Sequence, residues 1–160
     1  MPMLDQFDPC IHNFIENIVD VKLDGNCGYR AIAALLGMGE DSWSSVCNHL
    51  LKELAKWFHE YINLLGGIDR FEELKWSLLV DGLSMVTMDK WMNITGMGYV
   101  IALRYNVILV SLSLQQSMTF FPLRSQPPRD CSVIILNVYV PMQQGLGLKA
   151  WCSEFMAYLG

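Results

Sequence analysis

The order of apolar patterns along the chain most constrains what it can fold into. Helix-spaced apolar residues dominate to about position 105, and strand-like runs follow. Ile11, Phe14, Ile15 and Ile18, with Pro9 near the start, predict a short amphipathic helix over 9–19. Residues 19–23 read as an extended approach, and 27–36 as a helix stopped at Gly37. The longest helix is expected from Ser42 to Leu65, capped by Asp41 or Ser42 and closed by Gly66-Gly67. Its polar face would carry Ser45, His49, Lys52, Glu53, Lys56, Glu60 and Asn63. Helices over 70–79 and 98–105 are expected next, with Trp91 in a short helical or turn segment between them. Runs at 107–113, 119–123 and 133–140 are then predicted as strands, the last two separated by a Gln126-Pro127-Pro128-Arg129 turn. Helices first and strands later point to an α+β or mixed α/β domain, with helices packed on a small late sheet.

Composition narrows what such a domain can do. A chain of 160 residues is the size of one domain and can bury roughly 70% of its unfolded surface. Its hydrophobic share is 52% and its mean hydropathy +0.28, enough for a substantial core. The strongest apolar stretch, 97–114, is interrupted by Arg104 and Asn106, so no membrane span is expected. Net charge is −5 with scattered Lys and Arg, which argues against nucleic acid as a partner. The beginning, MPMLDQFDPC, has no signal-peptide pattern. Cysteines at 10, 27, 47, 131 and 152 show no metal-ligand spacing. Reduced thiols in the cytosol or nucleus, with no metal and no cofactor, are therefore expected.

The segment Asp24-Gly25-Asn26-Cys27-Gly28-Tyr29-Arg30-Ala31 carries the chemistry. Asp24 and Asn26 are helix-capping residue types, and Gly25 suits a tight turn. Cys27 then falls in the first turn of a helix, where backbone N–H groups and the positive dipole end favour a thiolate. The same groups can stabilise an oxyanion formed when the sulfur attacks a carbonyl. Without such neighbours a cysteine is most often a small buried hydrophobe, and the other four are read that way.

These residues resemble the nucleophile motif of the ovarian-tumour (OTU) family of papain-like cysteine proteases. The similarity extends over roughly residues 11–132. It includes Ile15-Glu16-Asn17-Ile18-Val19-Asp20-Val21, Leu35-Leu36-Gly37-Met38-Gly39-Glu40, Arg70-Phe71-Glu72-Glu73-Leu74, Asp89-Lys90-Trp91-Met92, Met97-Gly98-Tyr99 and Thr119 to Ser125. The variety it is similar to is found in plant and transposon-associated proteins. The resemblance implies a papain-like OTU fold acting on ubiquitin or ubiquitinated proteins. It makes Cys27 the nucleophile and has Asp24 shape the oxyanion region, with Gly25 and Asn26 completing the loop. It also implies a domain over 1–140, incomplete at its end, and a divergent tail over 141–160. In that tail Trp151, Phe155 and Tyr158 suit a short terminal helix.

The family's late histidine has no counterpart: the histidines are His12, His49 and His59. Two alignments stay open. Either Val138 stands in the histidine's place, or the strand bearing it is deleted and the tail is unrelated. His49 and His59 are expected on a solvated helix face, and His12 as structural or exposed. Losing one member of a nucleophile–base unit costs several orders of magnitude in rate. The expectation is thus a deubiquitinase-like thiol protease with weak or no activity. The alternatives are a non-catalytic ubiquitin- or protein-binding pseudo-enzyme and a truncated relic of a transposon-associated gene.

Overall fold

A helix apolar on all sides has to be covered on all sides, and the segment after Asn26 shows this. In the computed structural model it forms α1 (Cys27–Leu35), buried at every position except Ala34. The structure describes residues 9, 15–19, 21–22, 25–79, 92–112, 117–123, 133–139 and 153–159. Gly37, at φ 78°, ends α1 as expected, because a left-handed turn there costs glycine no steric penalty. A 3-10 turn (Glu40–Ser42) leads into α2 (Trp43–Lys56), followed by α3 (Phe58–Leu65), α4 (Ile68–Ser77) and α5 (Ile94–Tyr105). Asn93 caps α5 by accepting from the Thr95 amide at 3.1 Å.

The strands are β1 (Ile15–Val19), β2 (Ile108–Leu112), β3 (Met118–Phe120), β4 (Val133–Tyr139) and β5 (Ser153–Leu159). They form one sheet in the order β1-β5-β4-β2-β3. β2 and β4 run parallel, with Leu109 opposite Ile134. The other pairings are antiparallel. α1 packs between α2 and the β1–β5 side of the sheet, while α5 lies against β2 and β3. Ile32, Leu50, Leu54, Met97, Ile101, Leu109 and Ile134 share one core across these layers. Gly98 sets the approach of α5: a Cβ there would lie 2.6 Å from the Phe120 ring.

Five local expectations are corrected. Residues 15–19 form a strand, not the end of a helix; sheet pairing with β5, through an irregularity between Ile15 and Ile18, overrides their helical spacing. The long helix breaks at Trp57 (φ −118°, ψ 40°), with neither glycine nor proline at the break. The break turns α3 back so that the Tyr61 hydroxyl donates to Glu53 Oε1 at 2.9 Å and Phe58 meets Phe71 edge to face. Glu53, expected on the solvated face, is consequently buried. Ser42 makes no side-chain cap; its hydroxyl donates to the Met38 carbonyl. Finally, 153–159 is strand β5 between β1 and β4, where a short helix was expected. Trp91, Trp151 and the 126–129 turn lie outside the described residues.

Among the described residues no helix is long and apolar enough to cross a membrane. Nor do any three or more His, Cys, Asp or Glu side chains among them group to hold a metal ion.

Candidate active site

β1 delivers the chain to the site. From Val19 it passes through Val21, which is buried, and Lys22 into the turn Gly25-Asn26, and then enters α1 at Cys27. Asp24 lies outside the described residues. Asn26 is the N-cap residue (φ −103°, ψ 8°), but its side chain makes no cap bond. The first i→i−4 bond runs from the Arg30 amide to the Asn26 carbonyl at 2.9 Å. The sulfur of Cys27 is therefore carried by the first residue of the helix, where the dipole is most positive. The residue is 1% exposed, in no disulfide among the described residues, and at a helix start rather than in mid-helix packing.

Arg30, one turn on, is a cation inside an otherwise apolar helix, and a buried guanidinium requires anions. Two carboxylates from the 3-10 turn meet it: Asp41 Oδ1 at 3.3 Å and Glu40 Oε1 at 4.0 Å. The Trp43 ring lies 5.7 Å from its guanidinium carbon. Glu40 Oε1 also accepts from the Lys22 amide at 3.1 Å. Sequence reasoning missed Glu40 and Asp41. Their signal was present: an arginine within a buried helix needs a partner, and the acid pair follows directly on the Gly37-Met38-Gly39 bend.

A second polar cluster occupies the seam between α2 and α5. His49 Nδ1 lies 3.0 Å from the Tyr105 hydroxyl, so His49 is not the solvated residue expected. Burial first, then Arg104 and Lys52, lower its pKa from the ordinary 6.5. Burial pushes the Tyr105 hydroxyl up to about 12, opposed by Arg104 and assisted by Cys47. With the imidazole neutral, the Tyr105 hydroxyl donates to Nδ1 when the ring proton is on Nε2 and accepts from Nδ1–H in the other tautomer. Cys47, in the second turn of α2, has its thiol pushed up to about 12 by burial. His59 is exposed on α3 and packs edge to face on Phe58. His12 lies outside the described residues. Val138 sits in β4 opposite Glu154 of β5.

A buried helix that begins with cysteine, laid between a helical layer and a small mixed sheet, gives the chain the OTU-like form of the papain-like fold. Two solved structures share it. The OTU domain of OTUD1 superposes with a TM-score of 0.61 at 14% identity, over 98% of this chain and 94% of that one. The viral OTU domain protease from Dera Ghazi Khan virus gives 0.52 at 14% identity, over 91% of this chain and 88% of that one. No protein-family model matches the sequence, and no curated protein matches it.

Proposed function

We propose that the chain is a cysteine-type isopeptidase domain of the deubiquitinase kind, slow or silent as a hydrolase, with Cys27 as its nucleophile. One observation carries this reading: in an OTU-like fold, Cys27 is the first residue of α1. The Cys27 sulfur would attack the carbonyl carbon of the scissile amide in a ubiquitin conjugate. As the S–C bond forms, the carbonyl electron pair moves to oxygen, and the positive end of α1 favours that charge. Collapse would expel the amine, protonated by the proton the thiol released. Water then hydrolyses the thioester to a free carboxylate and the thiol. Asp24, Gly25 and Asn26 would set the shape of the loop. Substrates of this kind suit a cytosolic or nuclear protein.

Each proton transfer needs a base within about 3 Å, directly or through one water. His49 is engaged with Tyr105, and His59 is exposed on α3. Among the described residues neither histidine is placed as the partner of Cys27, which supports slow turnover. The test uses ubiquitin bearing a carboxy-terminal electrophile together with a fluorogenic ubiquitin ester or amide. Covalent capture at Cys27 with little hydrolysis is expected. Capture that persists in Cys27→Ala, or turnover at rates ordinary for a protease, would refute the proposal.

A second reading, a non-catalytic binder of ubiquitin or another protein, draws support from the α3–α4 surface. There Leu64, Ile68 and Trp76 are exposed, Trp76 by 51%, and exposed apolar groups of this kind mark interaction surfaces. Ubiquitin binding that survives Cys27→Ala but falls in Trp76→Ser would favour it.

A further inference from the structure

We infer that Glu40 is a positioning residue that clasps the Cys27 loop from both ends, a role that rests on Cys27 being the nucleophile. One carboxylate oxygen, Glu40 Oε1, accepts from the Lys22 amide at 3.1 Å and faces the Arg30 guanidinium at 4.0 Å. Lys22 is the last described residue before the loop, and Arg30 lies on the first turn of the helix that follows it. The intervening stretch, residues 23–29, carries Cys27. Both its ends are therefore tied to one atom on a third element, the 3-10 turn that opens α2.

The two acids beside Arg30 are not equivalent. Asp41 is the nearer, but its side chain is 101% exposed, whereas that of Glu40 is 34% exposed and Arg30's is 9%. An ion pair to a fully solvated carboxylate is screened and weak. Among the described residues on the strand side of the loop, Glu40 has a hydrogen bond, to the Lys22 amide, and Asp41 has none. Short loops lose a large part of their conformational freedom when their ends are pinned. A nucleophile displaced by one ångström can lose about a hundredfold in rate. Glu40 touches neither substrate nor sulfur and acts through the loop alone.

The test compares Glu40→Ala, Glu40→Gln and Asp41→Asn with the parent chain. Glutamine keeps an oxygen for the Lys22 amide but loses the charge facing Arg30. Three readouts are taken: alkylation of Cys27 by iodoacetamide, followed by peptide mass with Cys47 as internal reference; hydrogen exchange at the Lys22 amide; and the melting temperature. Glu40→Ala should slow Cys27 alkylation about tenfold and accelerate exchange at Lys22. Glu40→Gln should retain Lys22 protection and restore most of the alkylation rate, and Asp41→Asn should alkylate like the parent. A merely structural role would move the melting temperature in Glu40→Ala while leaving the Cys27:Cys47 alkylation ratio where it was. That result overturns the clasp alone, as does equal loss in Asp41→Asn. Parent Cys27 alkylating no faster than Cys47 overturns the reading of the site, and the clasp with it.

Discussion

Among the described residues two cysteines, Cys27 and Cys47, stand on neighbouring helices, both almost wholly buried, and their surroundings differ in one respect that matters. Cys27 is the first residue of α1, downstream of a turn and beside a charged corner made by Arg30, Glu40 and Asp41. Cys47 is the fifth residue of α2, beyond its first turn, where burial holds its proton with a pKa of about 12. At pH 8 such a thiol is ionised in only about one molecule in ten thousand. Exposure alone, at 1% and 2%, does not separate the two. Position along a helix does, because backbone dipoles add at a terminus and not at the centre. The polar groups differ as well: those near Cys27 are charged and tie loop to helix, whereas His49 and Tyr105 near Cys47 are neutral and tie helix to helix.

The sharpest way to break this contrast is covalent capture by ubiquitin bearing a terminal electrophile. Cys27→Ala should abolish adduct formation entirely, and Cys47→Ala should leave it intact; the reverse pattern, read by intact mass, would exchange the roles of the two regions. Next in size is the packing that holds α5 against the sheet and so keeps the α2–α5 seam closed. In Gly98→Ala the new methyl group meets the Phe120 ring, itself buried and set edge to face against Tyr99. Urea unfolding should show a loss of about 1–3 kcal/mol. Removing the hydroxyl in Tyr105→Phe should cost about 1 kcal/mol while leaving Cys27 alkylation unaltered; a change in that rate would show that the two regions are coupled.

The smallest effect is a pH slope. The folded pKa of His49 lies below its ordinary 6.5, so as pH falls the unfolded chain takes up this proton first. The stabilisation associated with this group is complete above about pH 6.5 and is lost as pH falls from there through the folded value. His49→Gln should flatten the stability profile in this window, measured by urea midpoints between pH 7.5 and 5; an unchanged slope would assign the dependence to other groups.

Of the candidate site, the helix that begins at Cys27 was legible in the sequence because its signals are local. Asn26 before Cys27 and glycine at 37 mark a short helix, and the helix starts and stops there. The strands at 108–112, 118–120 and 133–139 were readable from their runs of β-branched and aromatic residues. What escaped depends on partners distant in sequence. Ile15 and Ile18 have helical spacing, but β5, more than a hundred residues on, makes them strand. Glu53 reads as a surface charge until Tyr61 folds back over it. His49 reads as solvated because nothing nearby in sequence announces Tyr105. Glu40 was missed for a related reason: a charged residue following a glycine bend looks like ordinary solvated turn, and only Arg30, ten positions earlier, makes it more.

The place of β5 has a consequence for how the protein is made. β1 has β5 as its sheet neighbour, and β5 is inserted between β1 and β4. During synthesis the strand leading to Cys27 therefore waits for its neighbour until residues 153–159 have left the ribosome. Pairings so distant in sequence are slow to form, and a waiting strand is open to wrong partners. A chain stopped at residue 152 would keep Cys27 and the helices α1 to α5 yet lack the strand that seats β1.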